Sequence, residues 1–285
     1  MLGAIIGDIV GSRFEFNNLK SKEFELFTNE CKFTDDTVMT LAVAKGLVEF
    51  YEQPLNLLGE RQVPMDFYVF KNMQEMGKKY PNRGYGVMFK QWLHSKMPMP
   101  YNSFGNGSAM RISPVGELYS AEYLNNVGLN VAKRVSTITH NHEEGIKGAQ
   151  AVASAIMSAS KRNREPMAIK NMIRHEFYPQ MDESFTLDNI RKDYQFDETC
   201  QGSVPQAIEC FCESTSFEDA IRNAISIGGD SDTIACIAGA IAEAYYGVPS
   251  KLKFLALRYL DASMKKIIRD FENLKLNKEV KICQI

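Results

Sequence analysis

The chain has 285 residues, 45% of them hydrophobic, with 33 basic against 35 acidic side chains and a formal net charge of -2. That length and apolar content can bury one large core, and no Pro/Gly/Ser-rich linker or composition shift divides it, so one domain over residues 1–285 is expected. The near balance of charge gives no nonspecific electrostatic hold on nucleic acid or membrane, which directs recognition to a local pocket.

The first run, Met1-Leu-Gly-Ala-Ile-Ile-Gly-Asp8, is short, lacks a basic flank and is interrupted by Asp8, so it fits neither a signal peptide nor a spanning helix. Gly7-Asp8-Ile9-Val10-Gly11-Ser12 ends a small-residue helix in a Gly-Ser break and leaves Glu15 in the loop that follows. After Thr34, apolar Val38, Leu41, Ala42 and Val48 recur near the 3.6-residue period, and Asp36 to about Phe50 reads as an amphipathic helix. Short strands or loops are expected between 60 and 120. From about His142 another helix carries Ala149, Val152, Ala153 and Ile156, small enough to admit a close neighbour. Residues 178 to 200 are charged, aromatic and weakly periodic, which reads as a surface loop. Residues 203 to 213, 217 to 226 and 250 to 273 read as helices, with Pro205 in a first turn and Gly247 as a stop. Sustained period-two alternation is missing, so the expected fold class is all-α, a compact multi-helix domain.

Two acidic triplets about two hundred residues apart, Thr34-Asp35-Asp36-Thr37 and Asp230-Ser231-Asp232-Thr233, each open a predicted helix. Taken singly, each is an ordinary cap whose acidic residues complement the helix dipole. The second follows Ile227-Gly228-Gly229 and precedes a helix that is apolar almost all round (Ile234, Ile237, Ala238, Ile241, Tyr245), which puts Asp230 and Asp232 at the rim of the core. Unpaired carboxylates are costly there. Brought together, the four carboxylates need a cation between them. Oxygen-only donors suit Mg²⁺, Mn²⁺ or Ca²⁺, whereas four histidines and six scattered cysteines with no Cys-x-x-Cys pair make no soft cage. The scattered cysteines also point to a reducing cytoplasm.

Between the triplets lies Tyr101-Asn102-Ser103-Phe104-Gly105-Asn106-Gly107-Ser108-Ala109-Met110-Arg111. Two glycines flanking Asn106 let backbone N–H groups face one ligand, and Phe104 or Tyr101 offers a ring for a base, although the same pattern also makes a plain turn. Thr139-His140-Asn141-His142 reads either as a helix cap with a packed histidine or as a site where His140 donates to a phosphate or diol.

The order Gly7-Asp8-x-x-Gly11-Ser12-x-x-Glu15, Phe33 to Thr37, Ser103 to Arg111, Thr139-His140 and Gly228 to Ala235 resembles the ADP-ribosylglycohydrolase family from residue 3 to about 248. The resemblance implies an all-α fold with a binuclear Mg²⁺ or Mn²⁺ centre at the base of an ADP-ribose cleft. It implies that Thr34, Asp35 and Asp36 hold one metal, Asp230 and Thr233 the other, with Asp232 bridging. It gives Glu15 a catalytic part on a mobile flap, and the mechanism expected has Asp35 or Asp36 positioning the attacking water. It assigns Ser103, Phe104, Gly105, Asn106 and Gly107 to the loop cradling the adenosine and diphosphate portion, with Phe104 against adenine, and gives His140 a contact with bound ADP-ribose. Ser231 and Cys236 depart from the family pattern without removing a ligand.

The implied activity is metal-dependent hydrolysis of the N- or O-glycosidic bond between ADP-ribose and a protein side chain or small molecule. A catalytically inactive ADP-ribose-binding module is the alternative, and the presence of every expected metal ligand together with Glu15 argues against it. An all-α prenyl-diphosphate enzyme is disfavoured because its Asp-Asp-x-x-Asp pattern fails at Met39.

Overall fold

Helices follow one another along the chain in a computed structural model that describes residues 1–121, 125–161 and 164–282. The first are α1 (Leu2–Gly11), α2 (Asp35–Glu52), α3 (Met65–Lys79), α4 (Val87–His94), α5 (Gly107–Met110), α6 (Ser113–Leu118) and α7 (Asn125–Thr137). Then come α8 (Glu143–Ala159), α9 (Pro166–Glu176), α10 (Leu187–Asp193), α11 (Cys200–Cys212), α12 (Phe217–Ile227), α13 (Ser231–Tyr246), α14 (Ser250–Leu257) and α15 (Ala262–Ile282). Among the described residues there is no strand, only an isolated antiparallel bridge between Gly105 and Thr199, so the fold is all-α. A contiguous apolar cluster runs from Met1 to Phe271, and no helix among the described residues is long and apolar enough to cross a membrane.

The contact that places the site is α1 against α13. Gly3, Gly7 and Gly11 recur every four residues and therefore share one face of α1. A Cβ on Gly7 would stand 2.0 Å from the Ala235 carbonyl oxygen, and one on Gly11 would stand 2.4 Å from the Asp232 Cα. Only glycine permits so close an approach of two backbones, and it brings Asp8 of α1 toward Asp232 of α13. Both helices are buried along most of their length. α2 enters the same region through its N-terminus, where the Thr34 hydroxyl accepts from the Asp36 backbone N–H at 3.3 Å.

The stretch between 60 and 120 forms α3 to α6 rather than strands or open loops. Pro64 precedes α3, and Met65, Val69, Met73 and Met76 bury one face of it, while Asp66 in the first turn and Lys78 and Lys79 in the last complement its dipole. The expected surface loop at 178 to 200 contains α10 and buries Tyr178, Met181 and Leu187, so three apolar anchors outweigh its charged composition. The single helix expected over 250 to 273 is broken into α14 and α15, because Asp261 caps the second: its carboxylate accepts from the Met264 N–H at 2.9 Å. α11 begins at Cys200, capped by Thr199, which puts Pro205 inside the helix rather than in its first turn.

Candidate functional site

The site begins with Asp8, a carboxylate wholly buried in an otherwise apolar helix. It accepts from the backbone N–H groups of Thr34 and Thr37, each at 3.0 Å, from the Thr34 hydroxyl at 2.7 Å, and from the Thr37 hydroxyl. Those N–H groups belong to the first turn of α2, which has no carbonyls of its own to receive them. Asp8 thereby fixes the start of α2 and the direction of Asp36. The Thr233 hydroxyl, from the first turn of α13, donates to Asp36 Oδ2 at 3.3 Å.

Two carboxylate triads result, Asp8 with Asp36 and Asp232, and Glu15 with Asp230 and Asp232; within each, one oxygen per residue lies within 4.8 Å of the others. Asp232 belongs to both. Asp36 Oδ1 is buried with no hydrogen-bond partner. Burial, then the Asp232 carboxylate, raises Asp35 and Asp36 well above the usual carboxylate range. Burial, then Asp230, does the same to Asp232. Glu15 is pushed up to about 8 by burial and then by Asp232, and Asp230 to about 6 by burial against the hydrogen bonds that lower it. Buried carboxylates facing one another in this way are stable only when protonated or when cations neutralise them. With hydroxyl and carboxylate oxygens as donors and an orphaned Asp36 oxygen, these residues fit hard divalent cations.

Asp35 lies in neither triad. Its backbone N–H donates to the Arg83 carbonyl at 2.7 Å, and its Oδ1 packs on Gly84, which has φ +97° and would place a Cβ only 2.9 Å from that oxygen. Glu15 is held through its neighbours. Asn18 donates to the Phe14, Glu15 and Gly229 carbonyls at 2.7, 3.0 and 2.9 Å and accepts from the Gly229 N–H at 2.7 Å. The Glu15 turn and the Gly228-Gly229 turn before Asp230 are thus tied by one side chain. Gly229, at φ +78°, leaves no room for a Cβ, which would meet the Tyr194 ring at 2.3 Å.

The Ser103 to Gly107 loop joins the cluster through Asn106, whose side-chain amide donates to Asp230 Oδ2 at 2.7 Å. The Gly105 N–H donates to the Ser103 hydroxyl at 3.1 Å, and the loop is pinned from outside by Asn106 N–H to the Glu198 carbonyl and Cys200 N–H to the Phe104 carbonyl, both 2.8 Å. Asn102, just before it, takes φ 54°, a left-handed conformation that asparagine tolerates better than most residues. Phe104 is 44% exposed and meets His142 edge-on, while buried His140 lies beside Tyr101 and turns Nε2 toward Gly105 and Gly107. Burial, then the Arg111 charge, holds His140 well below its usual value. A cavity of about 230 Å³ bounded by α2, α3 and α15 shares no residue with this region.

The structure therefore gathers Thr34, Asp36, Asp230, Asp232, Thr233 and Glu15 at one place, with Asn106 reaching them from the loop and Asp35 outside both triads but near enough to feel the Asp232, Asp8 and Glu15 charges. Sequence reasoning gave Asp8 no role of its own, reading it as an interruption of an apolar run and as part of the Gly7-Asp8 motif; a lone carboxylate inside a helix of small and apolar residues was the signal. Asn18 and Arg111 were likewise not singled out.

An all-helical protein with a buried acidic centre beside a glycine-lined polar loop is the class that fold and site define. The chain belongs to the ADP-ribosylglycohydrolase family of hydrolases, whose sequence profile matches residues 1–274. It is similar to "ADP-ribosylhydrolase ARH3" of Mus musculus, 26% identical over 87% of this chain and 83% of that protein. It is also similar to "ADP-ribosylarginine hydrolase Tri1" of Pseudomonas putida (strain GB-1), 26% identical over 87% of this chain and 70% of that protein. Among solved structures, an "ADP-ribosylglycohydrolase-related protein complex" shares the fold with a TM-score of 0.66 and 19% identity, covering 96% of this chain and 97% of that one.

Proposed function

We propose that this chain hydrolyses the glycosidic bond between ADP-ribose and an acceptor, either a modified protein side chain or a small molecule, using two Mg²⁺ or Mn²⁺ ions. The observation that carries the reading is the pair of buried carboxylate triads sharing Asp232. Asp36, with Thr34 and Asp35 beside it, would hold one cation, Asp230 and Thr233 the other, and Asp232 both; Asp8 orients Asp36. Such cations supply Lewis acidity and a lowered pKa for water at the reacting centre.

The rest is the work of the chain's own groups. In the loop of Ser103 to Gly107 the Gly105 and Asn106 N–H groups are spent on Ser103 and Glu198, so the N–H groups of Ser103, Phe104 and Gly107 are the ones offered to the diphosphate, exposed Phe104 offers a ring to the adenine, and His140 lies beside them. Cleavage at the ribose anomeric carbon passes through an oxocarbenium-like state, which neighbouring carboxylates stabilise. Glu15 gives up or takes the proton at the glycosidic atom, and Asp35 and Asp36 accept from the attacking water. Relatives named for ADP-ribosyl hydrolysis support the reaction class. The reading extends to a reducing cytoplasm, where the buried thiols of Cys31, Cys200, Cys210 and Cys236 stay reduced.

The test is ADP-ribose release from arginine- and serine-linked ADP-ribosyl proteins with Mg²⁺ or Mn²⁺, then with EDTA, alongside Glu15→Ala. Cation-dependent release that Glu15→Ala removes is the expected result. Tight ADP-ribose binding without release from either substrate would replace the hydrolase with an ADP-ribose-binding module.

A further inference from the structure

Glu15 stands in a connection, residues 12 to 34, that contains no helix or strand. One of its oxygens nonetheless lies within 4.8 Å of oxygens of Asp230 and Asp232. Carboxylates that close repel one another when charged, so this irregular stretch needs ties that hold it inward. Asn18 supplies one. Its amide shares two N–H bonds among the Phe14, Glu15 and Gly229 carbonyls, and its oxygen accepts from the Gly229 N–H.

Lys20 supplies another. Its ammonium donates to the Ile227 carbonyl at 2.6 Å, the Tyr194 carbonyl at 2.7 Å and the Arg191 carbonyl at 3.2 Å. Ile227 is the last residue of α12, and Arg191 and Tyr194 lie at the end of α10. Carbonyls at a helix C-terminus lack intrahelical donors and attract a cation. An ammonium has three N–H bonds, and each finds one of them. Gly228, at φ +72°, turns its bare face to both side chains: a Cβ on it would stand 3.0 Å from Asn18 Oδ1 and 3.2 Å from Lys20 Cε. The lacing continues along α12, where Asp219 pairs with Lys22 and Arg222 donates to the Lys22 and Phe24 carbonyls at 2.7 and 2.9 Å. α12 leads through Gly228-Gly229 into Asp230, so the Glu15 segment and the Asp230 turn share one support.

We propose that Asn18 and Lys20 are positioning residues that clasp residues 14 to 20 to the ends of α10 and α12, making Glu15 part of a fixed wall of the carboxylate site in place of the mobile flap that the family resemblance implies. That the held carboxyl moves a proton at the glycosidic atom rests on the reading given under Proposed function, whereas the clasp does not. Both residues are exposed, so replacing either removes hydrogen bonds without opening the core.

¹⁵N relaxation of the labelled full chain, in EDTA and then with Mg²⁺ and ADP-ribose, reads the clasp directly. Order parameters of about 0.85 and flat relaxation dispersion are expected from Glu15 to Lys20 in both conditions, with order parameters below about 0.6 in Asn18→Ala and in Lys20→Met. In the release assay both variants should lose about 10- to 100-fold in kcat while KM stays within about twofold, because a misplaced carboxyl costs the chemical step and not binding. A wild-type segment that is mobile in EDTA and orders only with ADP-ribose overturns the proposal whether or not the variants fold. So do variants whose segment stays rigid, or loosens with no change in kcat. A rigid wild-type segment that loosens in both variants, with no ADP-ribose release from either substrate by the wild type, upholds the clasp and removes the hydrolase reading instead.

Discussion

Asp8 receives four donors and holds none in reserve, so its two oxygens orient the cluster instead of completing it. Asp8→Asn would turn an amide N–H toward a Thr34 or Thr37 donor and leave a buried pair unsatisfied. Cation affinity, measured by Mn²⁺ titration calorimetry, is expected to fall 10- to 100-fold, as outer-shell changes at metal sites generally cause. Unfolding stability should drop by about 1–3 kcal/mol. Unchanged Mn²⁺ binding would show that Asp8 serves α2 alone. Asp232 is the opposite case, since it belongs to both triads. Asp232→Ala is expected to abolish cation-dependent turnover while lowering the melting temperature only moderately, because it also removes a repelling buried charge. Turnover that survived with full metal content would refute the shared role.

At the scale of elements, the α1–α13 contact is the most sensitive to substitution. A methyl at Gly7 would meet main-chain atoms of Ala235 that cannot turn aside, at 2.0 Å. Gly7→Ala should cost about 1–3 kcal/mol or more, as overpacking does, and should weaken Mn²⁺ binding because Asp8 and Asp232 ride on the two helices being forced apart. Gly86→Ala is the control: its Cβ would meet nothing within 4 Å and its φ is -59°, so stability should hold within about 0.5 kcal/mol. Denaturant melts of the two variants make the comparison.

The α-helical character and the helices that bear the triplets were legible because apolar residues recur at helical spacing after each acidic cap. The α3 helix was not, since its apolar face is built of Met65, Val69, Met73 and Met76 among polar neighbours, a thin stripe that is decided by packing on α2. The break between α14 and α15 was marked by Asp261, a cap hidden in an otherwise periodic run. Within the site, Thr34, Asp36 and the second triplet could be read from local pattern. The pairing of Asp8 with Asp36 could not, because it depends on where α1 lies, and a glycine repeat announces a close approach without naming the partner.

For the whole molecule, the concentration of buried carboxylates makes folding depend on pH and, with the proposed metal centre, on cations as well. Glu15 moves from 4.5 to about 8 and Asp230 from 3.8 to about 6 in the cation-free fold. Between those values the folded chain binds more protons than the unfolded one, so cation-free stability falls as pH rises through the window. In the proposed metal centre, divalent cations would take over the neutralising role of the protons. The gain in melting temperature on adding Mg²⁺ to EDTA-treated protein should therefore be larger at about pH 8 than at about pH 5, measured by differential scanning calorimetry. Equal gains at both would show that the cluster is not where the cations act.

The glycine face of α1 also bears on biosynthesis. During translation α1 leaves the ribosome long before its partner, residues 231–246, has been made, yet in the finished protein all ten residues of α1 are buried. Until then a sticky, nearly featureless helix waits without a seat, exposed to solvent or to a chaperone, since contacts so distant in sequence form late. The triads cannot close before α13 emerges, so the acidic cluster is assembled only once residues 231–246 have been made.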